Sequence, residues 1–395
     1  MDNFQNKKRI IFVLPTLSGG GQERIVSRLS FALDDSLYEK ILVIFYQTKK
    51  DYGFKGKIIE LKLPIVKGPL KIFAKIISFF IRIYSLRKIK KKLSPDIAIS
   101  FGPEANIVNV FSNLRLKRTK TVISVRTVES VHFKEYFFAL RWYYIFALRL
   151  VLKLSNKIVP VSEFVAQDLI ESFGAKKEKI FTIYNFFDIK KIEKESLEDL
   201  GEFKKLFSEK KVIISVGRLE FPKGFQYLIE GFKKVNLKFP ETILVILGEG
   251  SLKKDLENLV DKLNLKNKVF FLGFQKNPFK FLRKSFVFIL TSLREGFPNV
   301  LVEAMICQVP VIATDAPGAM REILSPNLKE KKIDGLFLGE YGILVPPKDP
   351  KAISEAISLF LNDEKLREDY IQKGIKRALD FDEKKIINLW KEILN

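Results

Sequence analysis

Twice along this chain, short apolar runs alternate with amphipathic stretches, and a charged segment, Ile189 to Glu209, separates the two series. In the first, Arg9 to Leu14, Ile41 to Tyr46, Asp96 to Phe101, Thr121 to Val125 and Lys157 to Val161 read as strands, and Gln22 to Leu33 reads as a helix. The second opens at Val212 to Val216 and runs through helix Gly224 to Leu237, strand Thr242 to Leu247 and helix Leu252 to Leu263. It continues with strands Val269 to Leu272, Phe286 to Thr291 and Val309 to Thr314. Such alternation implies parallel sheets covered by helices. The expected fold is α/β, with two doubly wound Rossmann-like domains over residues 1–190 and 191–377. A length of 395 residues, about twice that of one domain, agrees. Helix Asp382 to Leu394 carries Ile386, Leu389, Trp390 and Ile393 at helical spacing, so residues 378–395 are expected to pack back on the first domain. Open parallel sheets bind ligands beyond their strands' carboxyl ends, so two of them facing each other would put both binding edges in one cleft.

Composition removes several classes. One cysteine, Cys307, excludes an internal disulfide framework, and one histidine, His132, leaves no Cys/His cluster for structural zinc. Cys307 lies in an apolar stretch and reads as core, and His132 has no nameable partner and reads as structural. The start, MDNFQNKKRI, lacks the layout of a secretion signal, and the expected location is cytoplasmic. The net charge of +23 is uneven: residues 1–190 hold 34 Lys/Arg against 16 Asp/Glu, and residues 191–395 hold 35 against 30. The first half therefore suits an anionic partner such as lipid, phosphate or nucleic acid.

Three segments carry chemistry. In LREGFPNVLVEAM, Glu295 and Glu303 follow the strand ending at Thr291, and Pro298 is expected in the first turn of a helix. An anion at that helix start would meet the backbone N–H groups of Gly296, Phe297, Pro298's neighbour Asn299 and Val300, together with the positive end of the helix dipole. In VIISVGRLEFPKGF, a strand ends at Gly217, with Arg218 at its carboxyl edge and Lys223 and Gly224 opening the next helix. A guanidinium and an ammonium so placed suit a diphosphate leaving group. In LPTLSGGGQER, three glycines between strand and helix permit close approach of a ligand to the backbone, although they do not form a dinucleotide fingerprint.

These segments, with VPVIATDAPG and EYGILVPPKDP, resemble family 4 retaining glycosyltransferases of the GT-B architecture, over nearly the whole chain. The resemblance implies transfer of a hexose or N-acetylhexosamine from a nucleotide-diphosphate sugar, with UDP expected, to a glycan or lipid-linked acceptor. The anomeric configuration would be kept and no metal used. By match to E-x7-E, Glu295 contacts donor sugar hydroxyls and Glu303 the ribose. By match to the Arg and Lys positions, Arg218 and Lys223 bind the donor phosphates. Gly20 and Gly21 match a GGxER loop that faces donor phosphates and acceptor. Arg126 stands where many relatives carry a polar residue facing the donor sugar, and Gly217 and residues Gly296, Phe297, Pro298, Asn299, Val300 complete the donor set. The nucleotide sugar is a co-substrate, and no separate cofactor is implied.

Between Lys67 and Lys92 nine Lys/Arg occur with no acidic residue. Ile72, Ile76, Phe79, Ile83 and Leu86 form one stripe, and Lys71, Lys75, Ser78, Arg82 and Ser85 form the next. This basic amphipathic helix and the aromatic-rich stretch 136–154 fit in-plane attachment to an anionic inner leaflet, and equally fit two helices covering a sheet. No run is long enough to span a bilayer. Two rivals stand beside the transferase reading: a nucleotide-sugar epimerase or hydrolase on the same framework, and a basic nucleic-acid-binding protein, for which no recognition motif is visible.

Overall fold

The computed structural model describes residues 7–18, 20–46, 52–61, 71–132, 138–328 and 333–395, excluding the side chains of 71–76 and 138–140. Gly19, residues 67–70 and residues 136–137, which belong to expected sites, lie outside the described residues, as do the side chains of Lys71, Ile72, Lys75 and Ile76. The chain divides into two compact units, residues 1–185 with 386–395, and residues 186–385. The expected boundary at 190 and 191 falls inside a helix of the second unit, and of residues 378–395 only Ile386–Asn395 belong to the first.

Unit 1 holds β1 (Lys8–Leu14), β2 (Tyr38–Ile44), β3 (Lys57–Glu60), β4 (Ile97–Phe101), β5 (Lys120–Val125) and β6 (Lys157–Pro160). Its helices are α1 (Gly21–Ala32), α2 (Lys71–Leu93), α3 (Pro103–Ser112), α4 (Glu129–His132), α5 (Phe138–Leu154) and α6 (Glu163–Phe173). The sheet order is β3-β2-β1-β4-β5-β6, all parallel. Parallel strands are buried on both faces, which is why Ile10 to Leu14 and Ile97 to Phe101 are apolar or small at successive positions. A polar network anchors α3 across the sheet. Asn106 Nδ2 donates to the Ser124 carbonyl at 2.9 Å, Asn109 Nδ2 donates to the Ala98 carbonyl at 2.9 Å, and Ser100 Oγ donates to Asn106 Oδ1 at 2.8 Å. Buried amides so paired fix one register of helix on strand.

Helix α2 covers the sheet. Phe79, Ile83 and Leu86 pack against the sheet, and Arg82, which the sequence places in the stripe next to the apolar one, is buried with them. Its guanidinium donates to Glu104 of α3 and lies 4.6 Å from the Tyr46 ring centroid. The sheet must be covered, and Arg82 is tolerated beneath α2 because a carboxylate and an aromatic face meet it there.

Unit 2 contains β7 (Lys211–Val216), β8 (Thr242–Leu247), β9 (Val269–Phe271), β10 (Val287–Leu290), β11 (Val311–Thr314), β12 (Phe337–Leu338) and β13 (Ile343–Val345). Its helices are α7 (Ile189–Ser196), α8 (Lys204–Ser208), α9 (Phe225–Lys238), α10 (Lys253–Lys262), α11 (Phe279–Arg283), α12 (Asn299–Ile306), α13 (Met320–Leu324), α14 (Pro350–Asn362) and α15 (Glu364–Ala378). The sheet order is β12-β13-β11-β10-β7-β8-β9, with β12 antiparallel at one edge. β11 starts at Val311, later than the expected Val309, because Pro310 has no N–H to give the ladder.

The last helix, α16 (Glu383–Leu394), completes unit 1. Trp390 is fully buried with its ring 5.9 Å from Phe101, and Ile386, Ile387, Ile393 and Leu394 are buried beside it, whereas Leu389 faces outward. Lys157 Nζ donates to the Ile393 carbonyl at 2.9 Å and Lys8 Nζ to the Asn395 carbonyl at 2.8 Å, so two cations meet the negative end of the helix dipole. Trp390→Ala is expected to destabilise unit 1 by about 3–5 kcal/mol, read from denaturant unfolding, because it empties a large site flanked by rigid strands.

Candidate functional site

The winding of unit 2 reverses between β7 and β10: β8 and β9 follow β7 on one side, and β10, β11 and β13 lie on the other. Loops leaving two such neighbours at their carboxyl ends depart to opposite faces of the sheet and leave a crevice between them. Gly217, Arg218 and Lys223 follow β7, and Glu295 follows β10. Lys223 Nζ donates to Glu295 Oε1 at 2.5 Å, with the two side chains 21% and 15% exposed. Ser292 Oγ donates to the same carboxylate oxygen at 2.8 Å.

Glycine makes this meeting possible. Gly224 has φ of 63°, and a Cβ there would lie 2.3 Å from the Thr291 carbonyl oxygen. Thr291 Oγ1 donates to the Lys223 carbonyl at 3.0 Å, and the Leu293 N–H donates to the Pro222 carbonyl at 2.7 Å, stitching the two loops together. The loop after β11 supports Glu295 from the other side. The Glu295 N–H donates to the Pro317 carbonyl at 3.0 Å, and at Gly318 a Cβ would lie 1.6 Å from the Glu295 carbonyl oxygen.

Arg218 is exposed at the end of β7 and pairs with no carboxylate among the described residues. Pro298 stands at the N-cap of α12, just before the first turn in which it was expected, and its own side chain makes no cap hydrogen bond. The first amide groups of a helix lack partners within the helix itself, so this start can offer donors to an anion. Phe297 turns its ring inward, 6.5 Å from Phe187 and 5.4 Å from Phe381, so only its backbone faces the loop. Gly296, Asn299 and Val300 are partly exposed around it, and Glu303 is buried within α12. Burial, with the Glu303 charge adding to it, pushes the Cys307 thiol well above its ordinary range.

In unit 1 the winding reverses between β1 and β4. Gly20 caps α1 and Gly21 is its first residue. The Glu23 carboxylate folds back over the cap, where a Cβ on Gly20 would lie 2.0 Å from Glu23 Oε2, and Thr16 Oγ1 approaches Glu23 Oε1 at 3.4 Å. The glycine thus has a conformational reason to be there. Arg126 lies just past β5 with Nη1 3.4 Å from Ser124 Oγ. Desolvation draws its guanidinium down to about 9, which leaves it charged at neutral pH.

The contacts of Ser292, Thr291 and Gly318 escaped sequence reasoning, because only strand adjacency gives them partners. So did Glu129, a buried carboxyl lining a cavity of roughly 20 Å³ with Pro103, Ile107, Val125, Tyr144 and Leu148. Thr127 Oγ1 donates to Glu129 Oε1 at 2.8 Å, while Oε2 has no partner among the described residues and the cavity has room for one water. Burial, and to a smaller degree the Asp168 charge, push Glu129 up to about 7. Among the described residues, no group of three or more His, Cys, Asp or Glu side chains could hold a metal ion.

The family model described as Glycosyltransferase Family 4 matches residues 19–191, and that described as Glycosyl transferases group 1 matches residues 198–377. An uncharacterized glycosyltransferase of Methanocaldococcus jannaschii is 34% identical, with 91% of this chain and 93% of that protein covered. The chain belongs to glycosyltransferase family 4. A second relative, at 30% identity over 94% of this chain and 95% of its own, is the N-acetylgalactosamine-N,N'-diacetylbacillosaminyl-diphospho-undecaprenol 4-alpha-N-acetylgalactosaminyltransferase of Campylobacter jejuni. Among solved structures, Anabaena Alr3699/HepE in complex with UDP matches this glycosyltransferase with a TM-score of 0.76 at 20% identity, covering 98% of this chain and 99% of the other. Sucrose-phosphate synthase from Thermosynechococcus elongatus matches with a TM-score of 0.78 at 18% identity, covering 98% of each. These neighbours share the GT-B fold of two Rossmann-like halves.

The raised carboxyl of Glu129 gives a pH prediction for this glycosyltransferase. The folded chain holds that proton more tightly than the unfolded chain, whose carboxyl titrates near 4.5. Stability is therefore expected to fall as pH rises from about 4.5 to about 7, by on the order of 3 kcal/mol, and to stay level above. Unfolding at a series of pH values should show that slope flattened in Glu129→Gln; equal slopes in both proteins would show that Glu129 ionises freely.

Proposed function

We propose that this glycosyltransferase moves a hexose or N-acetylhexosamine from a UDP-sugar to a lipid-linked or membrane-proximal glycan, with retention at the anomeric carbon. The observation that carries the reading is the Lys223–Glu295 contact at the reversal between β7 and β10, with the exposed Arg218 on the same loop after β7 as Lys223. In this reading the donor diphosphate lies against the start of α12. Arg218 supplies paired hydrogen bonds, Lys223 a compact charge, and the amides of Gly296 to Val300 the positive end of a dipole. Glu295 holds sugar hydroxyls, Glu303 holds the ribose, and Arg126, Gly20 and Gly21 serve from unit 1.

As the bond from the anomeric carbon to the β-phosphate oxygen breaks, negative charge gathers on that phosphate, and cations already in place lower the barrier. The acceptor hydroxyl attacks from the same face and passes its proton to a departing phosphate oxygen. Arg218 and Lys223 do the work of a divalent ion. Because Lys223 is already hydrogen-bonded to Glu295, a phosphate and a sugar arriving together replace one charged contact by two. The UDP bound to the Anabaena neighbour and the diphospho-undecaprenol in the name of the Campylobacter relative support the donor and acceptor classes. Such an acceptor places the enzyme at the inner face of the cytoplasmic membrane, in contact with anionic lipid.

UDP is expected to raise the Tm of the enzyme, and a panel of UDP- and GDP-sugars ranks the donors by the same measurement. Arg218→Ala should weaken UDP about ten- to a hundredfold, the worth of a charge-assisted contact. Glu295→Ala should lose most transfer, because the sugar contacts go, while UDP affinity changes less than in Arg218→Ala, because Lys223, released from its carboxylate, can still reach phosphate. Wild-type transfer in both variants would remove these assignments.

A further inference from the structure

The two crossover helices α2 and α5 each turn one side to the sheet of unit 1 and leave another uncovered, and that other side has the same layout in both. On α2 the outward positions Ile77, Phe80 and Tyr84 are 56%, 63% and 68% exposed, and Lys88 and Lys91 continue the same three- and four-residue spacing toward the carboxyl end. On α5, Trp142, Tyr143 and Phe146 are 58%, 59% and 69% exposed, and exposed Arg149 and Lys153 continue it. Among the described side chains, each helix thus sets large apolar groups outward, over Ile77 to Tyr84 in α2 and Trp142 to Phe146 in α5, with outward cations following toward the carboxyl end.

Topology aligns the two patterns. All strands of this sheet are parallel, and α2 and α5 each carry the chain back from a carboxyl end to an amino end, so the two helices run the same way. α3 packs against both, with Ile107 and Phe111 partly exposed on its outer line. The aromatic stretches therefore share one end of the unit, the carboxyl edge of the strands. Neither helix contains an Asp or Glu, and no helix among the described residues is long and apolar enough to cross a membrane. Exposed aromatic groups grading into cations, with no carboxylate, fit an anionic bilayer surface, where the rings enter the headgroup layer and the cations meet lipid phosphate. A second copy of this strongly basic chain would be repelled at the same surface.

We propose that the outward faces of α2 and α5, and not the Phe79–Ile83–Leu86 stripe read from the sequence, form a docking surface for an anionic lipid bilayer. The surface deepens the membrane-proximal reading given above and rests on it. It sets the carboxyl edge of the first sheet, where Gly20, Gly21 and Arg126 lie, nearest the lipid, so that a lipid-linked acceptor reaches that edge without leaving its leaflet.

Sedimentation of the full chain with vesicles tests this. Binding to phosphatidylcholine vesicles containing about one-third phosphatidylglycerol should exceed binding to pure phosphatidylcholine by roughly tenfold or more and weaken with salt. The double variants Phe80→Ser/Tyr84→Ser and Tyr143→Ser/Phe146→Ser should each lose about tenfold, because these exposed rings supply the insertion. Leu237→Ser, on an exposed position of α9 in unit 2, should bind as wild type and serves as the control. Equal binding by wild type and both double variants, or binding indifferent to phosphatidylglycerol, overturns the proposal, as does a preference for RNA over vesicles at equal salt. The UDP-dependent rise in Tm, measured on the same samples, separates this outcome from failure of the donor reading. Vesicle binding without UDP protection leaves the surface standing and removes the donor assignment, and UDP protection without vesicle binding does the reverse.

Discussion

A parallel strand cannot turn straight back into its neighbour, and most of this molecule's chemistry follows from that restriction. Successive parallel strands of either sheet must be joined by a crossover, so those loops leave from one edge, and the faces of each sheet admit only polar groups that are fully paired, as Asn106 and Asn109 are. The loops at the carboxyl edge can hold charged side chains that the packed faces of the sheet cannot. Where the direction of winding changes, two neighbouring loops part, and in unit 2 that parting holds Lys223 and Glu295. The catalytic reading therefore depends on strand order before it depends on any side chain.

The two cations of that crevice are prepared differently. Lys223 is held by a carboxylate that Ser292 also steadies, so its position is set before any ligand arrives. Arg218 sits at the surface, solvated and with five donors to offer. The first arrangement provides preorganisation and the second provides reach. Glycines at 224 and 318 bring three loops within backbone contact, and a side chain at either would drive them apart.

The strands of both sheets were legible where they are continuous apolar runs, as in Ile10 to Leu14 and Thr242 to Leu247. β3, β12 and β13 were not: the first is a partly exposed edge strand of four residues and the others have two and three, too short for any period to register. Family resemblance supplied Arg218, Lys223, Glu295 and Glu303, but nothing local in the sequence says that residues 223 and 295, 72 positions apart, share a proton donor and acceptor. The inward face of α2 was half legible. Phe79, Ile83 and Leu86 have the spacing of a buried stripe, but Arg82 joins them because Glu104 and Tyr46 wait there, and such distant partners leave no trace in a helical period. Glu129 was invisible for a related reason, since its apolar surroundings come from α3 and α5.

The docking of Ile386–Asn395 into unit 1 has a consequence for how the chain is made. On the ribosome, residues 1–185 emerge first, yet the hollow beside Phe101 that Trp390 fills stays open until some two hundred further residues have been translated. Residues 186–385 hold all their own strands and can close while the earlier half is still unfinished. The usual order of synthesis is thus inverted for completion: the half that begins first is sealed last, by the tail, and a nascent chain arrested shortly before Ile386 would present an exposed apolar socket to any chaperone nearby.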